Sequence, residues 1–201
     1  WGSVASIETM LKTIWKNYGT YIKFASENSK IPSAMILAFI AVESGGKANA
    51  GPSGHVTQGL MQWNRTYAKT QLETELSKGR MTDAEKNKLA EFGITFKNGK
   101  TRDITNADQL KPELNILIGS ILLGQLADTD WGSSDGIIHL DRIIVVYNAG
   151  AYGDNGKKAR SGLYPTPASL AAVVNKISAA YIAKIMGTNG ALDLASKMDL
   201  K

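Results

Sequence analysis

Apolar side chains at Ile7, Leu11, Ile14, Tyr18 and Ile22 recur at steps of four, three, four and four. A helix turning every ~3.6 residues brings such positions onto one stripe, so the spacing predicts an amphipathic first helix. The next apolar block does not alternate. Ile36 to Val42 is unbroken, and Glu43, Ser44, Gly45 and Gly46 follow it directly. Pro32 suits a first helical position, where its missing N–H costs nothing, and the two glycines stop the helix. Glu43 therefore falls in the last turn of a segment that reads as buried.

Residues 45–58, rich in glycine and small polar residues, predict a surface loop that ends at Gly59-Leu60-Met61-Gln62-Trp63. Thr82 and Glu85 have capping-box spacing for a short helix that Gly93 closes. Asn98-Gly99 between short runs containing β-branched residues predicts one small hairpin over Ile94 to Ile104. Pro112 opens a helix with Leu114, Leu117, Ile118, Ile121 and Leu122 on its apolar side. Two more helices are predicted, one from about Ile137 to Tyr147 and one from about Pro167 to Met186 with Thr166 as N-cap. The expected fold class is mainly α, a helical domain with one small inserted β-hairpin. No repeat or Pro/Ser linker divides the chain, and one domain over residues 1–201 is expected.

Composition changes this picture little. At 43% hydrophobic and 20% charged residues the 201-residue chain is globular in type. Having no cysteine, it relies on neither disulfides nor thiolate-bound metal. The longest apolar run, Ala34 to Val42, is far shorter than the ~20 residues a membrane span needs. Starting at Trp1 rather than Met, the chain reads as a processed or excised piece of a larger polypeptide. A net charge of +5 favours anionic partners, but Lys and Arg are dispersed apart from Lys157, Lys158 and Arg160, which argues against a nucleic-acid footprint.

The candidate chemistry starts at Glu43. A carboxylate in a last helical turn faces the negative end of the helix dipole, and an adjacent apolar face withdraws it from water. Both effects disfavour ionisation and predict a raised pKa. Such a group can give a proton as a general acid and later take one back. The alternative is an ordinary exposed carboxylate at a helix end.

"VESGG", then "GLMQW" and then "VVYNAG" at Val145 to Gly150 resemble, in order, the signature segments of the soluble lytic transglycosylase catalytic domain, a goose-type-lysozyme-like family. "PELNILIGSILLGQL" and "NKISAAYIAKIMG" are similar to two further helices of that family, so the resemblance runs from about Ile31 to Met186. Three features depart from its pattern. Trp63-Asn64 replaces the usual Pro and Met, Val146 stands where Ala is usual, and residues 66–110 are longer than the family's connector, which suggests an insertion.

The resemblance implies a peptidoglycan lytic transglycosylase with an α+β lysozyme-like fold. Glu43 is the implied catalytic residue. It would protonate the oxygen between N-acetylmuramic acid and N-acetylglucosamine, then take the proton of the muramic C6 hydroxyl as that oxygen closes on C1 to give a 1,6-anhydro end. Ser44 would hold the turn; Ser53 falls near a substrate-contacting serine. Gln62 would offer its amide to the sugar, Tyr147 would orient Glu43, Asn148 would bind an acetamido group, and Tyr181 would line the cleft. Trp63, Trp131 and Tyr152 are either sugar-stacking walls or hydrophobic plugs.

Two other readings stay open. A hydrolytic goose-type muramidase would need a water-positioning aspartate, for which Asp130, Asp135 and Asp154 are the loop candidates, and a silent peptidoglycan-binding module would keep only the cleft. His55 and His139 have no ligand pattern around them, so no metal and no cofactor are expected. The expected partner is the glycan strand of peptidoglycan, with no nucleic acid and no membrane span. The chain is expected to act as a monomer, with a place in a larger polypeptide or a virion or secretion assembly, in the periplasm, outside the cell or in a virion.

Overall fold

The computed structural model describes residues 1–134 and 137–200. The fold is mainly α, as the pattern predicts. Helix α1 (Val4–Ser29) carries the first stripe, with Ile7, Leu11, Ile14 and Ile22 buried. Helix α2 (Ser33–Ser44) is the central helix, and every residue from Met35 to Ala41 is buried. This explains the absence of alternation in its sequence, because a helix enclosed on all sides has no polar face. Pro32 is its N-cap rather than its first residue.

The turn after α2 is set by its neighbours. Gly45 and Gly46 take left-handed φ angles of 62° and 81°. A Cβ on Gly46 would lie 2.6 Å from the Ile14 side chain, and the Tyr18 hydroxyl donates to the Gly46 carbonyl at 3.4 Å. Helix α1 thus packs too closely for any larger residue there.

Helix α3 (Arg65–Ser77) was not legible in the sequence, whereas α4 (Asp83–Glu91) has the predicted Thr82–Glu85 capping box. Its C-cap is Phe92, with Gly93 one residue beyond. The predicted hairpin over 94–104 contracts to a single antiparallel bridge between Lys97 and Lys100. Its turn forms as expected, with Asn98 and Gly99 at φ 52° and 76°. Next to the bridge the Thr101 N–H donates to Glu73 Oε1 at 3.1 Å rather than across a ladder. Arg102 donates to the carbonyls of Gly93 at 3.0 Å and Phe92 at 2.8 Å, and pairs with Asp108 in the short helix α5 (Asn106–Gln109).

Helix α6 (Pro112–Ala127) is buried along most of its length and packs on α1 and α3. The helix predicted from Ile137 starts later, as α7 (Leu140–Ala149). Ile137–Ile138 instead form β2, antiparallel to β1 (Ser133–Ser134). The helix predicted over 167–186 is two, α9 (Pro167–Ala171) and α10 (Lys176–Met186). Thr166 caps the first as predicted, and Asn175 interrupts the run by accepting a hydrogen bond from the Ser178 N–H as a new N-cap. Two short helices, α8 (Asp154–Arg160) and α11 (Ala191–Ser196), complete the chain. Helix α10 packs against α7 and α2, which brings the late part of the chain to the end of α2. Among the described residues no helix is long and apolar enough to cross a membrane.

Candidate active site

The loop after α2 returns to the core at Gly59-Leu60-Met61-Gln62-Trp63, where Leu60, Met61 and Trp63 are buried. Asn115, wholly buried in the first turn of α6, holds this segment. Its Oδ1 accepts from the Met61 N–H at 2.8 Å, and its amide donates to the carbonyls of Gln58 at 3.1 Å and Gln109 at 2.8 Å. The Trp63 indole N–H donates to the Asn115 carbonyl at 2.9 Å. Gln109, also wholly buried, donates to the carbonyls of Val56 and Trp63 at 3.0 and 2.8 Å. Asn115 and Gln109 are positioning residues that sequence reasoning missed. The available signal was an amide inside the apolar run "LNILIG", because a buried amide needs partners.

Glu43 sits in the last turn of α2, and burial pushes its pKa from 4.5 up to about 7. The Tyr181 hydroxyl, donating to Oε2 at 3.2 Å, and the charge of Lys184 oppose that rise without cancelling it. The carboxyl is therefore poised between its two protonation states near neutrality. Tyr181 in turn takes a hydrogen bond from Asn148, whose Oδ1 accepts from the buried Ser178 hydroxyl at 3.4 Å. Burial and the nearby Glu43 push the phenols of both Tyr181 and Tyr147 upward, so each remains a hydrogen-bond donor.

The expected partner of Glu43 was Tyr147, and the structure assigns that bond to Tyr181 instead. Tyr147 donates to the Met61 carbonyl at 2.7 Å, and its ring meets Phe39 edge-on at 5.1 Å between centroids. It therefore ties α7 to the 59–63 segment. Gln62 also departs from expectation. Both its amide donor bonds go to carbonyls, of Ala50 at 2.9 Å and Gly59 at 2.8 Å, so its N–H groups brace the loop rather than face a sugar. Ser44 holds the turn, donating to the Ile40 carbonyl at 3.0 Å and accepting from the Gly46 N–H at 3.1 Å. Ser53 is exposed on the turn that the His55 N–H closes onto the Pro52 carbonyl.

Gln62, Tyr147 and Asn148 line an open groove of about 500 Å³, with Trp63, Tyr67 and Tyr152 among its other walls. Glu43, Ser44, Ser53 and Tyr181 do not line it, and Asn148, which does, connects it to Tyr181 and so to Glu43. Of the aspartates weighed as water-positioning groups, Asp130 is exposed beside Trp131 and Asp154 opens α8, while Asp135 lies outside the described residues. Among the described residues no group of three or more His, Asp or Glu is placed to hold a metal ion.

A comparison with curated proteins finds no match. Residues 20–96 match the family model described as "Transglycosylase SLT domain". Glu43, Ser44, Ser53 and Gln62 fall inside the matched residues, and Tyr147, Asn148 and Tyr181 fall beyond them. The match supports a peptidoglycan lytic transglycosylase type of function in general terms, with peptidoglycan as the material bound and extracytoplasmic or virion-associated action. Taken with the mainly helical fold, it supports a lytic transglycosylase, lysozyme-like domain that takes in residues 20–96.

Proposed function

We propose that the protein cleaves the β-1,4 bond between N-acetylmuramic acid and N-acetylglucosamine in peptidoglycan, with Glu43 as its single acid and base. The observation that carries this reading is a largely buried carboxyl at the end of α2, its pKa raised to about 7, held by the Tyr181 hydroxyl, which Asn148 connects to an open groove. A group protonated about half the time at neutral pH can both give and take a proton within one turnover.

Glu43 protonates the bridging oxygen as the bond to C1 breaks. The resulting carboxylate takes the C6 hydroxyl proton as the C6 oxygen bonds to C1, which closes the 1,6-anhydro ring. Atoms balance without water. A second carboxylate at the ~5 to 9.5 Å spacing of ordinary glycosidases is therefore dispensable. Tyr181 orients the acid and steadies its ionised form after the first transfer. Asn148 holds Tyr181 and offers the rest of its amide to an acetamido group, and Gln62 and Tyr147 keep the groove floor in place.

We take residues 1–201 as one such domain, with 66–110 as an insertion whose helix α3 builds one wall of the groove through Tyr67. The test is Glu43→Gln. Lysis of purified walls should fall by at least about a hundredfold while glycan binding survives. Lysis at the parent rate would remove the assignment.

A further inference from the structure

The groove beside Gln62 and Tyr147 has a neighbour at α3. A second open groove of about 420 Å³ lies between α3 and the end of α6, with Gln71, Trp131 and Arg160 among its walls. The two grooves share Tyr67, Leu126, Ala151 and Tyr152, so they adjoin, with both tyrosines at their boundary.

These rings are set unlike the other aromatic residues of the site. Trp63 is 3% exposed and its indole N–H is already bonded, as expected of a packing residue. Tyr67 and Tyr152 are 42% and 80% exposed. The Arg160 guanidinium lies 5.5 Å from the Tyr152 ring centroid, and Arg160 Nε donates to the Ala151 carbonyl at 3.1 Å, which pins the loop that carries the ring. Tyr67 sits in the first turn of α3, where its N–H donates to the capping Asn64 side chain at 3.1 Å. Tyr152 is near enough to influence the ionisation of Tyr67.

Two exposed aromatic rings at the boundary of two grooves suit a pyranose. The apolar C–H face of the sugar covers a ring, and its hydroxyls meet polar side chains such as Gln62, Gln71 and Arg160. We infer that Tyr67 and Tyr152 form a carbohydrate-stacking site that holds the glycan strand as it passes from the first groove into the second. The inference rests on the glycan-cleaving reading above and adds to it a preference for long strands over short ones.

The test measures binding of peptide-free glycan strands and of the corresponding tetrasaccharide to the Glu43→Gln protein, in which turnover does not interfere. The long strand should bind more tightly. Adding Tyr152→Ala or Tyr67→Ala should weaken long-strand binding by roughly five- to tenfold and shrink the advantage of length, whereas Tyr152→Phe, which keeps the ring, should retain it. A length advantage that survives both alanine variants overturns this inference alone. If the Glu43→Gln protein binds neither glycan and the unaltered protein lyses no wall, the cleavage reading falls too.

Discussion

The Tyr181 hydroxyl donates to Glu43 Oε2 at 3.2 Å, joining α10 to the last turn of α2 across 138 positions of sequence. This bond favours the ionised carboxyl, so its loss in Tyr181→Phe should raise the Glu43 pKa above about 7. A hydrogen bond worth ~1 kcal/mol moves the alkaline limb of the lysis profile upward by roughly 0.5 to 1 pH unit. Rates measured across pH check this. An unchanged limb would mean that Tyr181 does not act on Glu43.

Glu43→Gln should also make the protein more stable at high pH. The folded pKa, about 7, lies above the ordinary 4.5, so the group carries no penalty below pH ~4.5. The penalty grows as pH rises through that window and is complete above pH ~7, where it amounts to roughly 3 kcal/mol at most. Denaturant unfolding at pH 8 should show the variant to be the more stable by that order, and at pH 4 the two should coincide.

Tyr147→Phe separates structure from chemistry. Removal of its hydroxyl leaves the Met61 carbonyl without its 2.7 Å donor and should cost about 1 to 2 kcal/mol of stability. Thermal unfolding checks this. The pH profile of lysis should keep its limbs, in contrast to that of Tyr181→Phe.

Gly59→Ala should be among the most damaging single changes. Gly59 has φ of 86°, and a Cβ there would lie 2.3 Å from both Asn115 Nδ2 and the Gln109 carbonyl. The strained backbone and the broken Asn115 clamp together should cost about 2 kcal/mol or more. A drop of several degrees in the unfolding midpoint is expected, and a neutral outcome would show that the clamp can be rebuilt.

The parts of the fold written in local signals were legible. The α1 stripe, the uniform apolar run of α2 with its glycine stop, and the Thr82–Glu85 cap each need only a few neighbouring residues. Helix α3 was missed because only Ala68, Leu72 and Glu75 of it are buried, which leaves a weak stripe. Ile137–Ile138 read as the start of α7 because apolar character alone cannot separate a two-residue strand from a helix. The candidacy of Glu43 follows from its place at the end of a buried helix. Its partner does not follow in this way, since Tyr147 and Tyr181 are both tyrosines on apolar helices and only packing sends one hydroxyl to Met61 and the other to the carboxyl.

The most direct test of Glu43 as sole acid and base is the mass of the products from purified peptidoglycan digested in water enriched in heavy oxygen. The mechanism predicts muramic ends one water lighter than hydrolytic ends, free of the label, and none from the Glu43→Gln protein. Reducing ends carrying the label, or lighter ends still released at the parent rate by Glu43→Gln, would contradict it.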